Sequence, residues 1–418
     1  MKKIPAFFGT LILALTGILG TFLLRDGQSA FAVALQQAGE QIFLPLLSRP
    51  AMITFTETFD GDPAQPQPWE PSNWDVVVHS RDISTWDTLE PMQAGHGTDC
   101  SPSPASHRIT QYQDTVFLCR NHVMTAINAT GYGVIYLTPN HMVDFSWGEA
   151  IIKFDVTTTR TSERDWWDLW ISPYDEHLQL PLSDFYPDLS GEPRQAIQIE
   201  MSNFNRKTNF GLNHITNFKA RAISGTTWIG YEDFLTPSAM RRDTFELHIS
   251  RNHIKFGMPA YNFWWFDKNI PELDWSVGVV QFGHHSYNPK KDCAGCLPNT
   301  WHWDNVIITP SQPFSIIRAT KRYTDAKNGA QILLSAPAPE GANLQFSGIG
   351  KNLQVSYNNG STWVKAVPQS QERYNEDSFW SYWMPIPAGT QTVLFKGAKW
   401  WGGDWRVQDV SAWSLVTH

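Results

Sequence analysis

A few acids and histidines in this chain are spaced so that they can share strand faces. Glu200 ends the run Ala196-Ile197-Gln198-Ile199-Glu200. Residues two apart on a strand point the same way, so Ala196, Gln198 and Glu200 share one face and the two isoleucines the other. Asp168 lies between Trp166 and Trp170 with the same period, and Glu246 shares a face with His248. His284-His285 follows an apolar strand and precedes Ser286-Tyr287. A groove gathering Glu200, Asp168, Glu246 and one His would support general acid–base chemistry. The same groups, with Gln198, would also serve a non-reacting ligand as hydrogen-bond partners, or simply be solvated. Trp166 and Trp170 either stack on a flat apolar ligand face or pack into the core.

The elements that must position these residues read as strands. After the first thirty or so residues no amphipathic helix pattern occurs. Short β-rich runs appear instead at Ala150–Val156, Leu169–Ser172, Ala196–Ser202, Phe245–Ser250, Val277–Phe282 and Val306–Thr309, punctuated by Pro, Gly, Asn and Asp. Many short strands with turn signals indicate an all-β sandwich. Phe245, Leu247 and Ile249 would face the second sheet, and Glu246, His248 and Ser250 solvent or a groove. A boundary is expected near Thr309-Pro310-Ser311-Gln312-Pro313, dividing a first sandwich (54–309) from a smaller C-terminal β-sandwich (310–418). Within the latter, Leu353–Tyr357, Asn358-Asn359-Gly360 and Ser361–Val364 read as strand, turn and strand. Trp400-Trp401-Gly402-Gly403-Asp404-Trp405 is either a sugar-binding platform centred on Trp401 or an interdomain plug.

Composition narrows the function. The chain has 418 residues, enough for two or three domains at roughly 100–200 residues each. With 42% hydrophobic and 17% charged residues it is neither disordered nor a multi-span membrane protein. A net charge of −8 without a basic run argues against nucleic acid as partner. Twenty Trp are a large surplus, needed either by aromatic cores or by flat stacking surfaces. Lys2-Lys3, the apolar run Ile4–Leu24 and Ala30-Phe31-Ala32 fit an export signal cut after residue 32. The run is also about long enough to remain as a membrane anchor. Residues 33–53 would then be a tether, and the protein secreted or held at the cell surface. Four cysteines agree with export: Cys100 with Cys119 and Cys293 with Cys296 would form local disulfides in an oxidising compartment. Cys100 and Cys119 lack the tight spacing of a zinc knuckle, and no strand–CxxC–helix pattern surrounds Cys293-Ala-Gly-Cys296 as thioredoxin-type redox chemistry would require.

Residues 54–309 resemble the concanavalin A-like lectin/glucanase jelly rolls, particularly laminarinase-type β-glucanases. The resemblance is carried by Phe55-Thr-Glu-Thr-Phe59-Asp60-Gly61, by Trp166-Trp167-Asp168-Leu169-Trp170-Ile171-Ser172-Pro173, by the hairpin Phe245–Phe256 and by His302-Trp303-Asp304-Asn305-Val306-Ile307-Ile308. It implies two antiparallel sheets, one curved into a groove. In those glucanases a central strand carries Glu-x-Asp-x-Glu, where the first Glu attacks the anomeric carbon, the Asp tunes it and the last Glu protonates the leaving oxygen. Here the matching positions are Ala196, Gln198 and Glu200. Ala cannot attack, and Gln cannot tune a charge, so the family's retaining mechanism looks lost. Alginate-lyase-like jelly rolls, with Gln-Ile-His on a central strand, match less well because Glu200 replaces the His. The resemblance also implies a structural Ca²⁺ on the convex face, for which Glu57, Asp60 and Asp304 are the candidates; the ion needs six to eight oxygens, and Asp60-Gly61 reads equally as a plain turn. Ser356-Tyr357-Asn358-Asn359-Gly360-Ser361-Thr362-Trp363 resembles the Asp-box hairpin of sialidases with Asn358 in place of Asp; a single copy makes no propeller.

Three functions follow as alternatives. The leading one is an exported carbohydrate-binding protein that keeps the groove and lacks the nucleophile, with a polysaccharide as partner. The second is a polysaccharide-degrading glycoside hydrolase rearranged around Glu200. The third is a structural envelope protein whose aromatics are all core.

Overall fold

The computed structural model describes residues 35–37, 40–42, 52–60, 67–69, 72–79, 115–118, 122–127, 133–158, 165–175, 195–202, 216–224, 227–236, 243–286, 299–321, 323–326, 329–350, 352–374, 377–397 and 405–416. The leader, the four cysteines and Trp401 lie outside them. Among the described residues no helix is long and apolar enough to cross a membrane. A hairpin of β1 (Leu35–Gln37) and β2 (Glu40–Ile42) belongs to a first unit, Met1–Met52, and the remainder to a second, Ile53–His418.

The second unit begins with β3 (Ile53–Glu57), β4 (Gln67–Pro68), β5 (Trp74–His79), β6 (Thr115–Leu118), β7 (Val123–Ile127), β8 (Gly133–Pro139) and β9 (His141–Asp144). β10 (Ala150–Thr158), β11 (Asp165–Ser172), β12 (Gln195–Ser202), β13 (Thr216–Ser224) and β14 (Thr227–Thr236) follow. Next come β15 (Asp243–Ile249), β16 (His253–Met258), β17 (Phe263–Asn269), β18 (Val277–Ser286) and β19 (Asn299–Arg318). The fold is an antiparallel jelly-roll sandwich. One sheet runs β14-β13-β12-β11-β18-β8-β5. The opposing sheet runs β17-β16-β15-β10-β19, with β7 and β3 sharing the far edge of β19. β9 pairs with both β18 and β19 and so joins the sheets at one corner.

Alternation builds the core. Trp167, Leu169 and Ile171 of β11, Ile197 and Ile199 of β12, and Val280 and Phe282 of β18 meet Ile152 and Phe154 of β10 and Phe245 and Leu247 of β15 in one buried cluster. Phe154 packs edge-on to Trp167 and stacks on Phe245, with ring centres 5.3 and 5.6 Å apart. Burying a side chain of this size contributes roughly 1.5–3 kcal/mol, so these rings fix which face of each strand turns outward.

β19 is continuous through the expected boundary at residue 309 and carries the chain into the C-terminal sandwich. That sandwich comprises β20 (Tyr323–Asp325), β21 (Ala330–Leu333), β22 (Asn343–Ile349), β23 (Gln354–Ser356), β24 (Val364–Lys365), β25 (Pro368–Tyr374), β26 (Asp377–Pro385), β27 (Thr392–Lys396) and β28 (Arg406–Leu415). One of its sheets runs β25-β26-β22-β28, with β20 and the end of β19 sharing the other edge of β28; the second runs β21-β27-β23-β24. Its core, around Leu344, Phe346, Tyr382 and Phe395, is separate from that of the first sandwich. A third cluster, Met142, Val279, Phe314, Ile316 and Trp413, draws on both. In the turn before β24, Asn359 and Gly360 both have positive φ, 54° and 84°, a conformation this residue pair adopts readily. Asn358 Oδ1 accepts from Thr362 N at 2.9 Å, as an Asp oxygen could, and its Nδ2 adds a donation to Thr362 Oγ1 that an Asp could not make.

Candidate functional site

The face of the seven-stranded sheet that turns away from the core holds a buried polar cluster. Asp168 is 1% exposed. Its Oδ2 accepts from Trp170 Nε1 at 2.7 Å and lies 2.9 Å from His285 Nε2. Gly283 faces Asp168 across the β11–β18 pair. A Cβ there would fall 1.8 Å from Asp168 Oδ1, so the carboxylate occupies the space a side chain would need. Among the described residues Oδ1 has no hydrogen-bond partner. Tyr136 meets His285 edge-on, 5.5 Å between ring centres. One row along, Gln281 pairs with Trp170, and its Nε2 donates to Thr138 Oγ1 at 3.2 Å. Thr138 in turn pairs with Asp75 of β5.

The register extends both rows toward the other edge. Asp168 faces Glu200, which faces Lys219, which faces Asp233. Trp170 faces Gln198, then Arg221, then Tyr231. Trp166 faces Ser202 on one side and His285 on the other. By register, the positions in each row lie directly opposite one another across β11–β14. Ala196, Gln198 and Glu200 alternate with Ile197 and Ile199, both in the core.

Several expected positions differ in the structure. Glu246 and His248 do not share a groove with Asp168 and Glu200. They lie on the opposing sheet, on its outward face, because Phe245, Leu247 and Ile249 beside them turn into the core. There His248 bridges two acids, with Nε2 2.6 Å from Glu246 and Nδ1 2.8 Å from Glu149. Lys255 Nζ sits 4.2 Å over the ring of Trp264 alongside. His284 lies between the sheets, fully buried, with Nδ1 3.0 Å from Thr125 Oγ1. Burial, and then the neighbouring His285, hold its pKa well below the usual histidine value. Trp170 is buried at 2% and tied to Asp168, so it is no exposed platform. Sequence reasoning named the pair His284-His285 but singled out His284, although counting by twos from the apolar Val280 and Phe282 puts His285 on the outward face.

Among the described residues the calcium candidates Glu57, Asp60 and Asp304 do not converge on one point. Glu57 is committed: Oε1 accepts from Phe59 N, and Oε2 from Asn73 Nδ2 and Trp74 Nε1. Asp304 Oδ1 accepts from Asn305 N, and Asp60 is exposed. Among the described residues no three His, Cys, Asp or Glu side chains converge to hold a metal.

No protein-family model matches the chain, and no curated protein matches it. Among solved structures it is similar to a glycosyl hydrolase family protein from Mycobacterium fortuitum, at 14% identity and TM-score 0.37 over 61% of this chain and 98% of that one. It is similar to a pseudo β-1,3-glucanase and immunostimulatory antigen of Mycobacterium tuberculosis, at 13% and 0.37 over 62% and 98%. It is also similar to the Bacillus licheniformis β-glucanase, at 10% and 0.34 over 61% and 97%. Likeness at this level says nothing of activity.

Proposed function

We propose that this chain is an exported carbohydrate-binding protein that holds a polysaccharide on the outward face of β11–β14 and does not cleave it. The observation that carries the reading is the pair of cross-strand rows, Asp168–Glu200–Lys219–Asp233 and Trp170–Gln198–Arg221–Tyr231. Sugar hydroxyls both donate and accept, so they suit strands whose opposed residues are acids, amides and bases. Hydrolysis needs two carboxyl groups free to act. Strand β12 supplies one, Glu200, with Ala196 and Gln198 in line with it.

One observation favours hydrolysis. Asp168 directly faces Glu200 across the β11–β12 pair, which puts two acidic residues opposite one another, the residue type hydrolysis needs. Against it, Asp168 is buried and its Oδ2 already serves Trp170 and His285. The binding reading is tested by titrating the full chain with soluble β-glucan, xylan and alginate. Gln198→Ala and Arg221→Ala are expected to weaken binding of the polymer that registers by about tenfold, roughly 1.4 kcal/mol. Unchanged affinity in both would remove this face from the account.

A further inference from the structure

The docking of the C-terminal sandwich on the edge of the seven-stranded sheet concentrates buried polar groups that the glycan reading leaves unused. β5 is the last described strand of that sheet. Its outer edge is met by β28, where Asp409 and Val410 together oppose Phe346 of β22. Such a bulge re-aims side chains, and Asp409 sits at φ 51°. Gln408 Nε2 donates to Val78 O at 2.5 Å, and Val78 N donates to Asp409 Oδ2 at 2.8 Å. Two side chains thus stand in for a missing strand and seal the edge. Next to them Asp75, 3% exposed, lies within reach of Arg318 of β19 and of Asp409 and Ser411 of β28. Among the described residues, two carboxyls and one guanidinium meet there. Among the described residues Asp75 Oδ2 has no hydrogen-bond partner, which makes a bare charge on it costly.

We propose that a proton on Asp75 holds the C-terminal sandwich against β5, and that the docking loosens when this proton leaves. Burial first, and Asp409 beside it, raise the Asp75 pKa to about 7, against the opposing pull of Arg318, Ser411 and the Val76 amide. Undocked and hydrated, the same carboxyl returns to about 3.9. The docked state therefore binds more protons between these values. Docking is tightest in acid, weakens as pH rises toward 7, and stays at its weaker level above that. Asp75 also begins the row that runs through Thr138 and Gln281 to Trp170, so the latch sits at one end of the polar face.

Hydrogen exchange of the full chain between pH 4.5 and 9, corrected for intrinsic rates, tests this. Protection of peptide 74–79 is read relative to peptide 277–286 in the same sheet. In the wild type that ratio is expected to fall by up to tenfold per pH unit below 7 and then level off. In Asp75→Asn it is expected to stay flat. In Asp409→Asn, which removes the competing charge, the levelling point is expected at lower pH. A wild-type ratio independent of pH overturns the proposal, as does an Asp75→Asn slope equal to wild type. If Asp75→Asn does not fold, an unshifted levelling point in Asp409→Asn overturns it.

Discussion

Asp168, His285, Gln281 and Thr138 on the outward face of the seven-stranded sheet are all at most 5% exposed. On the outward face of the opposing sheet, Glu246 and His248 keep 17% of their side-chain surface in solvent, and Lys255 and Asp267 keep 28% and 55%. Both faces read alike in sequence, as polar residues alternating with core hydrophobics. Their energetics differ. A buried carboxylate must be satisfied, and removing its partner strands another polar group; an exposed ion pair exchanges with water at little cost.

The sharpest test of that contrast is Asp168→Ala. It leaves Trp170 Nε1 buried without its acceptor and removes the carboxylate 2.9 Å from His285 Nε2, so unfolding by urea should show a loss of about 3–5 kcal/mol. A loss under 1 kcal/mol would mean the face is wet. Gly283→Ala comes next. Its methyl group would collide with Asp168 Oδ1, and overpacking of this kind costs about 1–3 kcal/mol. Loss of stability in that variant should come with displacement of Asp168, visible as altered His285 ring resonances.

His284 gives a pH signature. Its folded-state pKa is depressed by burial, so the unfolded chain takes up a proton first as pH drops below about 6.5. Stability present above that value is lost progressively toward acid. His284→Gln should flatten this slope in melting curves from pH 7 to 5. The smallest effect belongs to the opposing face: His248→Ala should change stability by less than about 1 kcal/mol, and salt should shrink it further. A cost matching that of Asp168→Ala would erase the comparison.

Alternation made much of this legible. The inward residues of β11, β12 and β15 follow from the two-residue period, and with them the outward placement of Asp168 and Glu246. What the period does not carry is which sheet a strand joins. Asp168 and Glu246 alternate identically, yet β11 pairs with β12 and β18 while β15 pairs with β10 and β16. Long-range pairing decides that, and no local signal encodes it. The Asp168–His285 contact was hidden for a related reason: it joins residues over a hundred positions apart through a glycine whose role is only to be small. The latch at Asp75 depends on a bulge at Asp409, which sequence marks with nothing more than an Asp-Val pair in a strand.

The most direct test of the central claim is co-sedimentation of the full chain with insoluble β-glucan, xylan, chitin and cellulose, with reducing ends assayed in each supernatant. The account predicts retention on at least one polymer with no new reducing ends over the buffer control. Steady release of reducing ends that Glu200→Gln abolishes would contradict it and make this chain a hydrolase.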